Sequence, residues 1–444
     1  MGVLLRKKNQ LTSFQIIILG FSGVILLGTL LLMLPAASQS REPTSFGDAL
    51  FTSTSAVCVT GLVVHDTGTY WSSFGQIVIM LLIQIGGMGV ITVAASFAMI
   101  SGRRISLMQR STMQEAISAP KVGGIVRLTG FIIRATLLIE LLGAAVMAPV
   151  FCRDFGWKGL WMALFHAISA FCNAGFDLMG VRGDYSSLTS YAAQPVINLT
   201  IMLLIVVGGI GFLTWDDIRS NGVHLRKYRM QSKVILCMTG ILLVIPAVYF
   251  YFLEFTGLPV GQRILAALFQ SVTPRTAGFN TVDLTALSEA GQYLTILLML
   301  IGGSPGSTAG GMKTTTMAVL VAASLSTFRR KEDTHFFGRR FDDSVIKNAA
   351  TILLMYLVLF FFGGMAISLL EGLPMLTCLF ETASAVGTVG LSLGITPGLG
   401  TVPRLILIGL MFFGRVGGLT LIFAALSGTQ KNVSRLPKEK ITVG

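Results

Sequence analysis

Charged side chains are scarce in this sequence: Asp, Glu, Lys and Arg make up 12% of its 444 residues, whereas 53% are hydrophobic. With a mean hydropathy of +0.77, that balance lies outside the range of soluble domains and reads as an integral membrane protein. Lys and Arg outnumber Asp and Glu by 33 to 20, but the surplus falls in short segments between apolar runs and forms no basic face. Nucleic-acid binding is therefore not expected. The five cysteines, Cys58, Cys152, Cys172, Cys237 and Cys378, include no C-x-x-C pair, and the four histidines are far apart. Neither a disulfide framework nor a metal site is indicated. No G-x-G-x-x-G lies within a βαβ pattern, so no dinucleotide-binding unit is expected. The segment "GSTAGGMKT" imitates a Walker phosphate loop, but Met312 intrudes between Gly311 and Lys313, and no strand precedes it. An enzyme reading has no other foothold.

Apolar runs and glycine, 50 of them, are what the chain has in quantity. A bilayer core of about 30 Å takes roughly 20 apolar residues as helix, whereas runs of about 10 to 14 point to re-entrant or buried segments. Long runs lie near 14–34, 74–100, 125–150, 195–213, 234–253, 292–324, 346–370 and 402–426, and short ones near 46–57, 159–171, 262–273 and 375–386. The first long run follows a basic stretch, but it exceeds a signal-peptide core and lacks a convincing cleavage site, so it is read as a span. The order long, short, long recurs four times with a period of about 110 residues. The expected fold is an all-α membrane protein of four M1–P–M2 repeats, 1–100, 101–220, 221–330 and 331–444. Its eight transmembrane helices and four re-entrant pore helices stand in pseudo-fourfold order around one central pore.

Sidedness follows from the positive-inside rule. The tail with Arg6, Lys7 and Lys8, the segments 103–127, 219–233 and 329–347, and the tail 431–440 hold 23 of the 33 basic residues. Those segments and both termini are expected in the cytoplasm, so the short runs dip in from the outer face. That face is mildly acidic, through residues such as Asp66, Asp177, Asp184 and Asp283.

The short runs align as "ALFTSTSAVCVTGL" (49–62), "ALFHAISAFCNAGF" (163–176), "ALFQSVTPRTAGF" (267–279) and "CLFETASAVGTVGL" (378–391). Phe and Gly are ten residues apart in three repeats and nine in the third, so the third loop is one residue tighter. Non-helical backbone at membrane depth survives only inside protein or beside a water-filled cavity, because an unsatisfied amide in lipid costs several kcal/mol. Four such loops suggest a ring toward which the short helices turn their partly negative C-terminal ends, an arrangement that favours a cation. Glycine lets carbonyls turn to the axis, where backbone oxygens can replace a hydration shell as they do in potassium-channel filters. A glycine after a short helix is also an ordinary C-cap, but four in equivalent places are not explained that way.

Each second long run carries a glycine pair: Gly86 and Gly87, Gly208 and Gly209, Gly302 and Gly303, Gly417 and Gly418. Close helix packing accounts for three of them. The third begins a stretch with too much glycine, and a proline, for continuous helix: Gly302, Gly303, Ser304, Pro305, Gly306, Ser307, Thr308, Ala309, Gly310 and Gly311. This span is expected to break in mid-membrane and place residues 302–316 in the cavity below the filter. Arg415, deep in the fourth repeat's second run, is costly in lipid, so it is expected to face protein or water, as an electrostatic barrier or an anchor for that loop. Lys313 either neutralises the cavity or reaches the inner interface. Arg275 and Glu381 are read as buried structural groups, paired with each other or with neighbours. Arg134 and Glu140 do not share a helix face, so each needs a partner elsewhere.

The fourfold organisation, the single-glycine filters and "IGGSPGSTAGGMKTTT" resemble the Trk/Ktr/HKT superfamily of potassium transporters, most closely its KtrB branch, over nearly the whole chain. The resemblance implies potassium uptake across the plasma membrane through a selectivity filter at Val59, Thr60, Gly61, Asn173, Ala174, Gly175, Thr276, Ala277, Gly278, Thr388, Val389 and Gly390. It makes residues 302–316, with Lys313 and Arg415, the intramembrane gate. It further implies a homodimer on a ring of cytosolic KtrA-type RCK subunits that carry ATP or ADP, with Na+ as an activator and no cofactor on this chain. Segments 101–124, 216–233 and 327–345 are the expected docking surfaces. The alternative is a sodium-selective or weakly selective uniporter of the HKT type. Glycine at all four filter positions favours potassium.

Overall fold

Apolar runs in this chain become helices where the sequence supplies a start signal. The computed structural model describes residues 12–100, 105–117, 123–331, 333–418 and 420–421. The two basic tails and parts of the segments 103–127 and 329–347 fall outside the described residues. Helix α1 (Ser13–Leu32) opens on a reciprocal capping box between Thr12 and Gln15. Serine caps, Ser45 and Ser72, start α2 (Phe46–Val57) and α3 (Ser73–Met88). There follow α4 (Val90–Ile100), α5 (Leu107–Ile117), α6 (Ile125–Phe155) and α7 (Lys158–Phe171). Proline opens α8 (Pro195–Gly209), which leads to α9 (Phe212–Asn221), α10 (Met230–Tyr249) and α11 (Val260–Val272). Ser288 caps α12 (Glu289–Leu300), and α13 (Thr314–Phe328), α14 (Asp343–Glu371), α15 (Met375–Gly387) and α16 (Thr401–Val416) complete the order.

Burial sorts these helices into two kinds. α1, α6, α14 and α10 with its extension to Glu254 are long and apolar enough to cross a bilayer, yet only 22% to 33% of their most apolar windows is buried. Their outward faces are hydrocarbon surface, stable in lipid and not in water. The short helices are the reverse: in α2 the residues from Phe51 to Val57 are all buried, and in α15 those from Cys378 to Gly387. The long helices form the outer wall, and α2, α7, α11 and α15 lie within it. A hairpin of β1 (His335–Phe336) and β2 (Arg339–Arg340) is the small exception to all-helical structure among the described residues. Phe337 and Gly338, both at positive φ, turn it.

The second runs depart from the expectation of unbroken spans. α3 and α4 meet at 97° and α8 and α9 at 95°, so not only the third run breaks. The hinges are Gly89 (φ +87°, ψ 131°) and Gly211 (φ +90°, ψ 143°), and Gly417 (φ +89°, ψ 133°) ends α16 in the same way. Those angles are open essentially to glycine alone. The glycine pairs are also in a different register from the one expected. Gly414 and Gly417, not Gly417 and Gly418, correspond to Gly86 and Gly89 and to Gly208 and Gly211. A Cβ on Gly86, Gly208 or Gly414 would strike the carbonyl of Val57, Phe171 or Val386, each four residues before a loop glycine. Close packing is thus one part of these glycines' role, and a right-angled turn is the other.

Where α1 crosses α2 and α3, a Cβ on Gly28 would lie 2.5 Å from Ser53 Oγ and 2.6 Å from Leu82 Cδ1. Gly23, one turn earlier, has nothing within 4 Å of the same position. Gly28→Val should destabilise the protein by about 1–3 kcal/mol through overpacking and lower its unfolding midpoint in detergent, while Gly23→Val leaves the midpoint unchanged. Equal midpoints for the two variants would contradict this packing.

Candidate functional site

The four short helices all end at the same place. α2, α7, α11 and α15 run into loops at Val59, Asn173, Thr276 and Thr388, which adopt φ of +51°, +58°, +63° and +50°. Two residues later Gly61, Gly175, Gly278 and Gly390 have φ of +90°, +71°, +80° and +94°. For Val and Thr, branched at Cβ, positive φ is a true outlier that costs on the order of 1–3 kcal/mol and persists only where the surroundings enforce it. Alternation of the two backbone hands sends N–H groups to one side and carbonyls to the other. The N–H groups face the short helices: Thr60, Ala174 and Val389 donate to the carbonyls of Ser55, Ser169 and Ser384, each at 2.8 Å. Gly61 and Gly390 donate to the side chains of Ser55 (3.0 Å) and Ser384 (2.9 Å). In the third loop Ala277 reaches back four residues, to Thr273, where the others reach back five, so that loop is a residue tighter.

The glycines close a ring in chain order. A Cβ on Gly61 would lie 2.5 Å from Ala174 O and 3.0 Å from Gly175 Cα; one on Gly175 would lie 2.8 Å from Ala277 O and 2.9 Å from Gly278 Cα. On Gly278 it would meet Val389 O at 2.5 Å, and on Gly390 it would meet Gly61 Cα at 3.0 Å. No side chain fits at any of the four. The Oγ1 atoms of Thr60, Thr276 and Thr388 are buried here without a hydrogen-bond partner, which leaves their lone pairs uncommitted. A cavity of about 420 Å³ opens on one side of the ring, lined by the four glycines with Asp66 and Asp177. Burial, and to a lesser degree the Asp66 charge, pushes the Asp177 carboxyl up to about 7.

On the other side a cavity of about 300 Å³ is lined by Gly87, Gly306, Lys313 and Arg415. The expected loop is there, but it runs over 301–313, since Thr314 already begins α13. Its backbone is satisfied by neighbours: Ser304 N donates to Gly209 O (3.0 Å), Phe212 N to Gly306 O (2.7 Å) and Gly311 N to Gly414 O (3.1 Å). Gly302 N donates to Met312 O (2.8 Å) and Thr314 N to Gly303 O (3.0 Å), which close the loop on itself. Lys313 lines this cavity, and its Nζ donates to the carbonyls of Ala309 (2.8 Å) and Gly310 (3.2 Å). Arg415 donates to the carbonyls of Thr308, Gly86 and Gly87, and so ties the loop to the end of α3.

Arg275 and Glu381 are both buried and are held by neighbours, not by each other: Arg275 donates to Thr239 Oγ1 (3.3 Å), and Glu381 accepts from Thr396. Glu140 finds its partner in Gln84, whose Nε2 donates to it at 3.2 Å. Sequence reasoning missed the two serine hydroxyl caps, Ser55 and Ser384, although serine six residues before the glycine recurs in three of the four aligned strings; the third, Ser169, offers only its backbone carbonyl. It also missed the left-handed Val and Thr, for which no residue preference gives a signal.

Residues 6–435 match the family described as TrkH, cation transport protein. Among known proteins, the potassium/sodium uptake protein NtpJ of Enterococcus hirae is 39% identical over 99% of both chains. The Ktr system potassium uptake protein B of Bacillus subtilis is 39% identical over 98% of this chain and 97% of its own length, and that of Vibrio alginolyticus 35% over 97% and 94%. The crystal structure of the potassium transporter TrkH from Vibrio parahaemolyticus superposes with a TM-score of 0.73, covering 94% of this chain and 86% of that one at 20% identity. With a family match along nearly its whole length and two such relatives at 39% identity, the chain belongs to the TrkH family of cation transport proteins.

Proposed function

We propose that this chain is the membrane-spanning subunit of a potassium uptake system, built of four M1–P–M2 repeats around one pore, with boundaries near residues 100, 220 and 330. The observation that carries the reading is the closed ring of Gly61, Gly175, Gly278 and Gly390, whose neighbouring carbonyls are turned away from the hydrogen-bonded side of each loop. Partly dehydrated K+ binds at Val59–Gly61 and the equivalent segments through backbone oxygens, joined by the uncommitted Thr276 and Thr388 hydroxyls. The C-terminal ends of α2, α7, α11 and α15 supply partial negative charge there without a fixed carboxylate. Asp66 draws cations to the outer cavity, and Asp177 adds its charge as the pH rises through about 7. K+ then moves inward down the membrane potential, with about 2.3 kcal/mol per charge per 100 mV as driving force.

The loop 301–313 lies across the exit and is the gate, held shut by Arg415. Sodium stimulation, a homodimeric assembly and control by a cytosolic nucleotide-binding subunit extend the same reading, and they follow from the likeness to the Ktr system potassium uptake proteins B.

Two measurements in proteoliposomes test this. Gly61→Ala puts a methyl group 2.5 Å from Ala174 O at φ +90°, and it should abolish selective K+ flux while leaving the protein folded. Retained flux with unchanged preference for K+ over Na+ would remove the filter from Gly61, and equal Na+ and K+ flux in the unaltered protein would remove potassium selectivity altogether. Deleting residues 305–310 should raise the maximal flux at saturating K+. Unchanged maximal flux would mean that the loop is not the gate.

A further inference from the structure

The loop below the ring touches the ring itself, and at one point it does so through a directional bond. Thr308 Oγ1 lies 3.0 Å from Asn173 Oδ1 and 3.1 Å from the Phe171 carbonyl, so its single proton is shared between two acceptors of the second short-helix unit. Asn173 Nδ2 in turn donates to the carbonyl of Arg275 at 3.3 Å, in the third loop. The orientation of this amide is fixed by chemistry: the Arg275 carbonyl can only accept, so it must face the NH2, and the amide oxygen is left for the hydroxyl donor. Asn173, Thr308 and Thr276 are fully buried. Gly208 makes the room, since a Cβ there would lie 2.8 Å from Thr308 Oγ1 and 2.9 Å from Asn173 Oδ1.

The residue types are asymmetric in a way that points to this contact. At the four equivalent left-handed positions the chain has Val59, Asn173, Thr276 and Thr388, and only Asn173 has its donor and its acceptor on separate atoms, so that one side chain can bridge two loops. The carbonyl it holds belongs to the peptide that enters Thr276, the third loop's own left-handed residue (φ +63°). On the far side the loop meets the ring only by packing, with Gly310 against the Thr388 side chain.

We propose that Asn173 is a positioning residue through which the state of the 301–313 loop sets the ion affinity and selectivity of the ring. The inference rests on the filter and gate assignments made above. While the loop is in place, Thr308 orients the Asn173 amide, and the amide holds the Arg275–Thr276 peptide in its strained conformation. When the loop leaves, the amide loses its fixed partner, the Arg275 carbonyl loses its donor, and the third loop relaxes. By reciprocity, an ion bound in the ring stabilises the loop in its closed position.

The test is a comparison of Thr308→Val, which keeps shape and removes the hydroxyl, with Thr308→Ser, which keeps the hydroxyl. Full-length protein in liposomes is assayed for the half-saturating K+ concentration and for K+ over Na+ preference. Thr308→Val should raise the half-saturating concentration about tenfold, the factor that one buried hydrogen bond supplies, and should lower the preference for K+. Thr308→Ser should restore both, and a second change at Asn173 (Asn173→Leu) should add little to Thr308→Val, because the two side chains act as a unit. If Thr308→Val does not assemble, Thr308→Ala removes the same hydroxyl without bulk and carries the same expectation. A change in maximal flux alone, with half-saturation and preference unaltered, overturns the coupling. If that result comes while Gly61→Ala still abolishes selectivity, the coupling alone is wrong. If Gly61→Ala is also without effect, the filter reading has failed.

Discussion

Four glycines must meet with nothing but hydrogen on their Cα atoms, and much of the chain is arranged so that they do. Each loop at the ring leaves helical geometry at membrane depth, where an unpaired amide is expensive. The short helices answer this by offering main-chain carbonyls, and in two cases a serine hydroxyl, to the loop N–H groups. That pairing commits the loop N–H groups to the helix side. The strain of Val59, Thr276 and Thr388 at positive φ is tolerated because the loop is pinned both by its helix and by the next loop in the ring. The ring of glycines thus rests on backbone geometry, without an acidic side chain in it.

The same logic explains how a positive charge is kept beneath the ring. Arg415 follows the helix-packing Gly414 as Gly87 follows Gly86 and Gly209 follows Gly208, and it too is followed by a hinge glycine. Its guanidinium is satisfied not by a carboxylate but by carbonyls at the broken end of α3 and in the loop. The break at Gly89 matters here, because a continuous helix would have used those carbonyls internally. The C-terminal end of α3 thus holds a fixed cation below the ring.

Much of this architecture was legible in the sequence, because burial leaves marks in composition. The four Leu-Phe strings and their glycines located the ring, and the glycine content of 302–311 located the loop. The register of the second helices was not legible. Gly417 and Gly418 look like the pairs at 86 and 208, yet the packing glycine is Gly414, and only the carbonyl it faces distinguishes it. Nor did periodicity reveal that α3 and α8 would be hinged, since apolar residues continue on both sides of Gly89 and Gly211. Arg275 and Glu381 looked like candidates for a pair because both are charged and near a glycine loop. Their partners turned out to be hydroxyl groups, Thr239 and Thr396, which no charge pattern announces.

The central claim is that main-chain oxygens of four equivalent loops jointly hold one cation, and anomalous diffraction from crystals grown in Tl+ or Rb+ tests it most directly. The account expects a peak on the axis of the ring, among the carbonyls that precede Gly61, Gly175, Gly278 and Gly390, which disappears when Na+ replaces the heavy ion. A peak elsewhere, with none within the ring, would contradict it.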